Sequence, residues 1–205
     1  YSLNLLYQID SLSENLEAIV FTNGKYEEVI SHFKHIKIIP TIPSIYPIWE
    51  KIVFPIYSIF YKANIIHFTA NTGGWLIAKI FKKKIIVTIH DVYFMNKGEN
   101  FPQGSNIRQK IGSFYRRIVV PNIALKSDKI ITVSNFAKEE LIKKLKIDRK
   151  KICVINNVID EIYLNFLNEK NFKKKENILV IIGGDHPQKN IINTIYLLEK
   201  NCSDV

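Results

Sequence analysis

Short apolar runs alternate with amphipathic segments along the chain. The apolar runs are typical of buried strands and are predicted at residues 17–22, 36–39, 64–68, 84–89, 129–133, 151–155 and 177–182. Apolar residues at helical spacing predict helices at 1–16, 26–33, 49–61, 75–81, 108–126, 135–145 and 190–198. Ser134 is a plausible N-cap for the helix that it precedes.

This alternation, without any hairpin signal, predicts an α/β fold with a Rossmann-like, doubly wound parallel sheet. In such sheets ligands bind beyond the carboxyl ends of the strands. The residues at those positions are therefore the candidates for a site: Asn71, Thr72, Gly73, Gly74, His90, Asp91, Ser134, Asn156, Asn157 and residues 183–189.

Some local features modify these predictions. Pro55 should bend the helix at 49–61, and Pro121 should kink or break the helix at 108–126. Residues 93–105 are polar with two glycines and predict a loop. Cys153 lies in an apolar strand and is predicted to be a small core residue. Core packing is the expected role of most of the aromatic side chains in this segment, and contact with a membrane is the alternative; they are Trp49, Phe54, Tyr57, Phe60 and Tyr61.

A strand–glycine–helix unit near the C-terminus is the strongest chemical signal. The strand at 177–182 ends in Gly183 and Gly184, and a helix starts at Asn190 with Lys189 just before it. Backbone N–H groups, the helix dipole and the lysine charge together suit a diphosphate. We place a first domain at residues 1–168, whose first strand is missing, a linker at 169–176 and the start of a second domain at 177–205.

Composition narrows the classes of partner. The 205 residues are 47% hydrophobic and 23% charged, with a net charge of +10. Clustered lysines are compatible with solvated loops, or together with a peripheral contact on an anionic membrane, while no nucleic-acid-binding signature accompanies them. Two distant cysteines make neither a disulfide framework nor a zinc site, so we expect no metal and a reducing, cytoplasmic location. No apolar run is long enough to span a bilayer.

Several of these segments, in this order, resemble the group 1 (family 4) glycosyltransferases. They are Ile-Ile-His at 65–67, Ile-Val-Thr-Ile-His-Asp at 86–91, the stretches 126–141 and 151–160, and the turn at 183–190. The resemblance implies the two-domain GT-B architecture and retaining transfer of a sugar from a nucleotide-sugar donor, a co-substrate, without an essential metal or other cofactor.

The resemblance also implies roles for particular residues. His90 would hydrogen-bond the transferred sugar or the acceptor, with Asp91 as an orienter, and residues Asn71, Thr72, Gly73 and Gly74 would contact the acceptor. Gly183, Gly184, Lys189 and Asn190 would bind the donor diphosphate. Gln188 and Gly184 replace basic residues that many members carry, so Lys189 and backbone amides would hold the phosphates.

Other parts of the family pattern fall outside these residues. We expect its glycine-rich loop before Tyr1 and its pair of glutamates after Val205, and we expect this chain alone to be inactive. The acceptor would be a glycan or a lipid-linked glycan of a surface polysaccharide. A non-hydrolysing sugar-nucleotide epimerase and a degenerate, non-catalytic module stay open as alternatives. The sugar, the nucleotide base, the acceptor and the oligomeric state cannot be assigned from the sequence.

Overall fold

Parallel strands alternate with helices through the part of the chain that the structure describes. The computed structural model describes residues 2–12, 16–23, 33–96, 107–157 and 190–201. All the strand pairs found there are parallel, which confirms the predicted α/β fold. The predicted helix at 26–33, the predicted strand at 177–182 and the predicted linker at 169–176 lie outside the described residues.

The strands form two parallel sheets. They are β1 (Ala18–Asn23), β2 (Ile36–Thr41), β3 (Ile65–Phe68), β4 (Lys84–Thr88), β5 (Lys129–Thr132) and β6 (Ile152–Val154). β1 pairs with β2, and the other four lie in the order β3-β4-β5-β6. Their carboxyl ends therefore meet at one edge of the four-stranded sheet.

The helices follow the predicted order. They are α1 (Ser2–Leu12), α2 (Tyr46–Ile48), a π-helical turn (Trp49–Val53), α3 (Phe54–Phe60), α4 (Trp75–Ile80), α5 (Ile107–Lys126), α6 (Asn135–Leu145) and α7 (Ile191–Asn201). Short 3-10 turns occur at Tyr93–Met95 and Arg149–Lys151. Tyr93–Met95 lies within the stretch predicted as a loop.

The core is built from the central strands and the helices on them. The strands contribute Ile66, Ile85, Val87 and Ile130, all essentially inaccessible. α5 buries the face with Val119, Val120, Ile123 and Ala124, and α6 buries Ala137, Leu141 and Leu145 as predicted. Apart from their first residues, β3, β4 and β5 are buried or half-buried on both faces, which accords with their continuous apolar runs.

An aromatic cluster links the two sheets. Phe21 on β1 packs against Phe54, Tyr57 and Tyr61, with ring centroids 5.5–6.0 Å apart. Phe54 also meets Phe68 on β3 edge-on at 5.1 Å. This confirms core packing for these aromatics, although Phe60 faces solvent.

Asp128 connects α4 and β4 at the amino edge of the larger sheet. Its carboxylate accepts hydrogen bonds from the Ile85 N–H and the Lys79 ammonium, each at 2.8 Å. Burial alone would raise the pKa of Asp128, but these two bonds and the charges of Lys79 and Lys84 outweigh it and lower the pKa.

Three local predictions, at Pro121, Pro55 and Cys153, can be compared with the structure. α5 runs without interruption through Pro121, so the expected break does not occur, although Pro121 still cannot donate to the carbonyl of Arg117. Next to Pro55 the helix widens into the π-turn, in which Phe54 N–H bonds the Trp49 carbonyl. The prediction that Cys153 is a core residue is wrong, because it lies on the exposed face of β6, opposite the buried Ile152.

Contacts divide the chain into two units. One comprises Tyr1–Val92 with Ile118–Asn157, and the other Tyr93–Arg117 with Val158–Val205. Both sheets lie in the first unit. In the second, the guanidinium of Arg117 donates to the carbonyls of Phe94 and Asn96, at 2.7 and 3.1 Å.

Candidate functional site

Four polar positions follow the strands of the larger sheet at its carboxyl edge. Asn71 comes after β3, His90 after β4, Ser134 after β5 and Asn156 after β6. Because the strands are parallel neighbours, these residues share one edge of one unit. Ser134 is the N-cap of α6, since its hydroxyl accepts the Ala137 N–H at 3.1 Å, as predicted.

His90 is fixed at both its backbone and its ring. Its N–H donates to Oδ1 of Asn71 at 2.6 Å, and its Nε2 lies 3.1 Å from the carbonyl oxygen of Thr69. A carbonyl oxygen only accepts, so Nε2 must carry the proton in this bond. In the neutral ring Nδ1 then holds the lone pair and can accept a hydrogen bond from a hydroxyl group.

The backbone leading to His90 is anchored from the other side. Ile89 N–H donates to the Ile131 carbonyl at 2.8 Å, and the buried Thr132 hydroxyl donates to the Ile89 carbonyl at 2.7 Å. β5 therefore holds the residue before His90, while the β3 exit loop holds His90 itself. Neither neighbour is close in sequence, so the position of His90 depends on the assembled sheet.

Asn71 has the backbone conformation that its role requires. Its φ is 52°, in the left-handed region where asparagine is among the most tolerated residues. Its N–H donates to the Thr88 carbonyl at 2.9 Å while its side chain holds His90. One residue thus clamps the β3 exit loop onto the end of β4.

The buried carboxylate of Glu50 holds the loop that follows β3 through a hydrogen bond with Thr72. Glu50, in the π-turn, is only 1% exposed and accepts hydrogen bonds from the hydroxyls of Thr72 and Tyr46. The Tyr46 bond measures 3.0 Å. Burial of the Tyr46 hydroxyl raises its pKa. The hydrogen bond with Thr72 partly offsets this increase, and the charge of Glu50 adds to it. Tyr46 therefore stays a hydrogen-bond donor at neutral pH.

Two glycines let the loop approach the helix closely. A Cβ atom on Gly74 would lie 2.5 Å from the Cα of Lys51, and one on Gly73 would lie 2.6 Å from the ring of Phe68. No larger residue fits either place without movement of backbone or a buried ring. Thr72, Gly73 and Gly74 are all buried, and their predicted contact with the acceptor stays a prediction.

His67 lies on β3 and forms a hydrogen bond with Thr88 at the end of the neighbouring strand, β4. Its Nε2 lies 2.9 Å from Oγ1 of the buried Thr88, the last residue of β4. Burial of the ring lowers the pKa of His67, because the protein interior disfavours the imidazolium ion. His67 is therefore held in its neutral form more strongly than a histidine in water.

The other predicted site residues divide between described and undescribed positions. Asp91 is exposed directly after His90. Asn190 precedes α7, where its carbonyl accepts the Thr194 N–H at 3.1 Å and its side chain accepts from Asn193. Gly183, Gly184 and Lys189 lie outside the described residues, so their role in donor binding stays a prediction.

Some features of the site were not foreseen from the sequence. Glu50 was treated as part of an apolar helix, although it is the one acidic residue between positions 42 and 61. An acidic residue isolated in an apolar segment was the signal that could have identified it. The bonds from Asn71 and Thr132 to the β4 exit carry no comparable signal, since they join residues far apart in the chain.

The described residues contain neither a cluster of metal ligands nor a helix able to span a membrane. Within the described ranges, no three His, Cys, Asp or Glu side chains are grouped so that they could hold a metal ion. Of the helices seen in those ranges, none combines the length and apolar character that crossing a bilayer requires.

Comparison with known families identifies the chain. The family model described as Glycosyltransferase Family 4 matches residues 13–162, which include both sheets and the whole carboxyl edge described above. A search among curated proteins gave no match. The match spans well over half of the residues, and the chain therefore belongs to glycosyltransferase family 4.

Proposed function

We propose that this protein is a retaining glycosyltransferase that moves a sugar from a nucleotide-sugar donor to a glycan or lipid-linked acceptor. Family membership supports transfer of a sugar in general. The observation that carries the proposal is the fixed position of His90 at the carboxyl end of β4, held by Asn71 and Thr69. Ligands of open parallel sheets bind at that edge.

His90 is the proposed contact to the reacting substrates. With Nε2–H donating to Thr69, the lone pair of Nδ1 can accept a hydroxyl proton in a hydrogen bond from the transferred sugar or the acceptor. Because the ring is already oriented, binding the substrate would cost little further ordering. We assign the neighbouring Asp91 an orienting role.

The donor diphosphate is proposed to lie at the turn before α7. Lys189 and the backbone N–H groups of Gly183 and Gly184 would balance its charge, and the N-terminus of α7, just after Asn190, would add its helix dipole. In the transfer, the bond from the anomeric carbon to the phosphate oxygen breaks and a bond to the acceptor oxygen forms. The proton of the acceptor hydroxyl passes to the departing phosphate oxygen, and the nucleoside diphosphate leaves.

We further propose a place for the reaction. A lipid-linked acceptor for surface polysaccharide would put the protein at the cytoplasmic face of a membrane. The net charge of +10 suits an anionic surface there.

Product analysis tests the transferase proposal. Protein carrying both domains of the GT-B architecture is incubated with nucleotide sugars, with and without glycan acceptors, and the products are followed by NMR. We expect a glycoside with the donor's anomeric configuration, formed only with acceptor present. An isomeric nucleotide sugar formed without acceptor would instead indicate an epimerase, and an inverted product would contradict retention.

A binding measurement addresses the non-catalytic alternative. Calorimetric titration of the same protein with nucleotide sugars should give saturable binding that weakens when Lys189 is changed to alanine. Absence of binding across the common nucleotide sugars would favour a degenerate module.

A further inference from the structure

The outer face of the helices beside β3 exposes an unusual number of large apolar side chains. On the π-turn and α3 they lie four residues apart, and α4 packs beside them with the same spacing. We call this the α3–α4 surface, which consists of Ile52, Ile56, Phe60, Leu76, Ile80 and Phe81. Phe60 is 79% exposed, although the edge of its ring packs against Tyr61 with ring centroids 5.6 Å apart.

Lysines surround the same surface at the helix ends. α3 and α4 each end in a turn of the same type. In these turns Lys62 and Lys82 have left-handed backbone conformation, with φ of 57° and 54°, respectively. The N–H of Lys84 donates to the Asn64 carbonyl at 3.2 Å, which brings the two turns together. Positive charge is therefore concentrated beside Phe60 and Ile80.

Acidic groups do not balance these lysines on the surface itself. In segments 49–62 and 75–84 the one acidic residue is Glu50, which is buried under the Asn71–Gly74 loop. Asp128, at the amino edge of the larger sheet, forms an ion pair with Lys79 at 2.8 Å and lies 3.9 Å from Lys84. Lys62 and Lys82 are both exposed to solvent.

We propose that the α3–α4 surface binds an anionic lipid bilayer. Exposed aliphatic and aromatic side chains enter the headgroup–acyl boundary, and the surrounding lysines meet lipid phosphates. A second copy of the chain is a poor occupant, because a symmetric contact would set lysines against lysines. The surface lies on the helical layer, so binding leaves the strand-end edge with His90 accessible.

This inference rests on the proposed function in one respect: a bilayer is where a lipid-linked acceptor would be found. Vesicle binding needs neither donor nor acceptor, so its failure is separate from failure of the transferase proposal. A protein that binds vesicles but transfers no sugar would refute only the latter.

Vesicle co-sedimentation of the 205-residue chain tests the proposal. Vesicles of phosphatidylglycerol mixed with phosphatidylcholine are compared with phosphatidylcholine alone. We expect binding to the anionic vesicles, reduced roughly tenfold by Phe60→Ser with Ile80→Ser and to a similar extent by Lys62→Glu with Lys82→Glu.

Matched controls come from α6. Phe136 is 77% exposed, and Lys146 has the same left-handed conformation after its helix, at φ 53°. Phe136→Ser with Lys146→Glu should lower binding by roughly twofold or less, which measures the effect of removing an exposed ring and a positive charge away from the α3–α4 surface. Circular dichroism verifies that all variants are folded.

Three outcomes would overturn the proposal. They are no binding of the unaltered chain to anionic vesicles, equal losses in the α3–α4 and α6 variants, and binding of soluble polyglutamate through this surface without any vesicle binding. The last result would assign the surface to an acidic protein partner.

Discussion

The side-chain oxygen of Asn71 accepts a hydrogen bond from the backbone N–H of His90 at 2.6 Å. This bond joins the exit of β3 to the exit of β4, the two neighbouring strands whose ends form the candidate site. His90 is therefore placed by a residue 19 positions earlier in the chain. Asn71 thus holds the backbone of His90, while its predicted contact with the acceptor stays a prediction.

Removing the Asn71 side chain should impair turnover more than folding. Asn71→Gly keeps the left-handed backbone at φ 52° but loses the bond to His90, and we expect kcat to fall roughly tenfold. Asn71→Asp keeps an oxygen acceptor and should retain most of the activity. Steady-state kinetics of both variants in protein carrying both domains, with urea unfolding in parallel, make the comparison. Equal kcat for the two variants would show that the bond does not position His90.

Loss of the Glu50 carboxylate should destabilise the fold strongly. Glu50→Ala leaves the hydroxyls of Thr72 and Tyr46 without this acceptor and opens a cavity, at a cost of about 2–4 kcal/mol in the free energy of unfolding. Glu50→Gln keeps the shape and one acceptor oxygen and should cost less. As a matched control, Glu139→Ala breaks the exposed pair with Arg149 and should cost about 1 kcal/mol or less. Urea unfolding that ranks Glu139→Ala with Glu50→Ala would refute the supporting role.

Gly74 and Gly112 should respond in opposite ways to alanine. At Gly74 the new Cβ would lie 2.5 Å from the Cα of Lys51, so backbone must move and unfolding free energy should fall by about 2 kcal/mol or more. At Gly112, inside α5, the nearest atom is 3.7 Å away. There the helix propensity of alanine should stabilise the protein by about 0.5–1 kcal/mol. Thermal denaturation of the two variants gives the comparison, and a tolerated Gly74→Ala would contradict the close packing.

Stability should depend on pH through His67. Burial lowers the pKa of His67, so the unfolded chain binds a proton at higher pH than the folded one. The contribution to stability is therefore complete above the ordinary value of about 6.5 and declines as the pH falls through the window below it. The pKa values of Asp10 and Asp128 are lowered from 3.8, so their contributions are lost only at more acidic pH. In the pH range just below the ordinary histidine pKa, the urea midpoint should depend less steeply on pH in His67→Gln than in the unaltered protein. An unchanged dependence would contradict this account.

The sequence predicted those parts of the molecule that depend on local pattern. Continuous apolar runs identified the strands of the larger sheet, and Ser134 marked the start of α6 through its capping side chain. The rule that parallel sheets bind ligands at their carboxyl edge directed attention to His90. Each of these inferences uses residues close together in the chain.

The remaining features depend on contacts between distant residues. Pro121 sits in an unbroken helix whose buried face, with Val120 and Ile123, is packed against the core, and tertiary packing outweighs the missing bond. Cys153 lies on the exposed face of β6, opposite the buried Ile152, and tertiary packing decides which face of a strand is covered. Glu50 and Asn71 act across 22 and 19 positions, respectively, so no local pattern shows their partners.

The most direct test of the central claim is the rate at which nucleoside diphosphate is released from a nucleotide sugar in the presence of acceptor. Protein carrying both domains is compared with His90→Ala, Lys189→Ala and the double variant, and with Lys146→Ala as a surface control. We expect the double variant to lose roughly a hundredfold or more in rate, while the control stays at the rate of the unaltered protein. Full activity in the double variant would contradict the assignment of the carboxyl edge as the site of transfer.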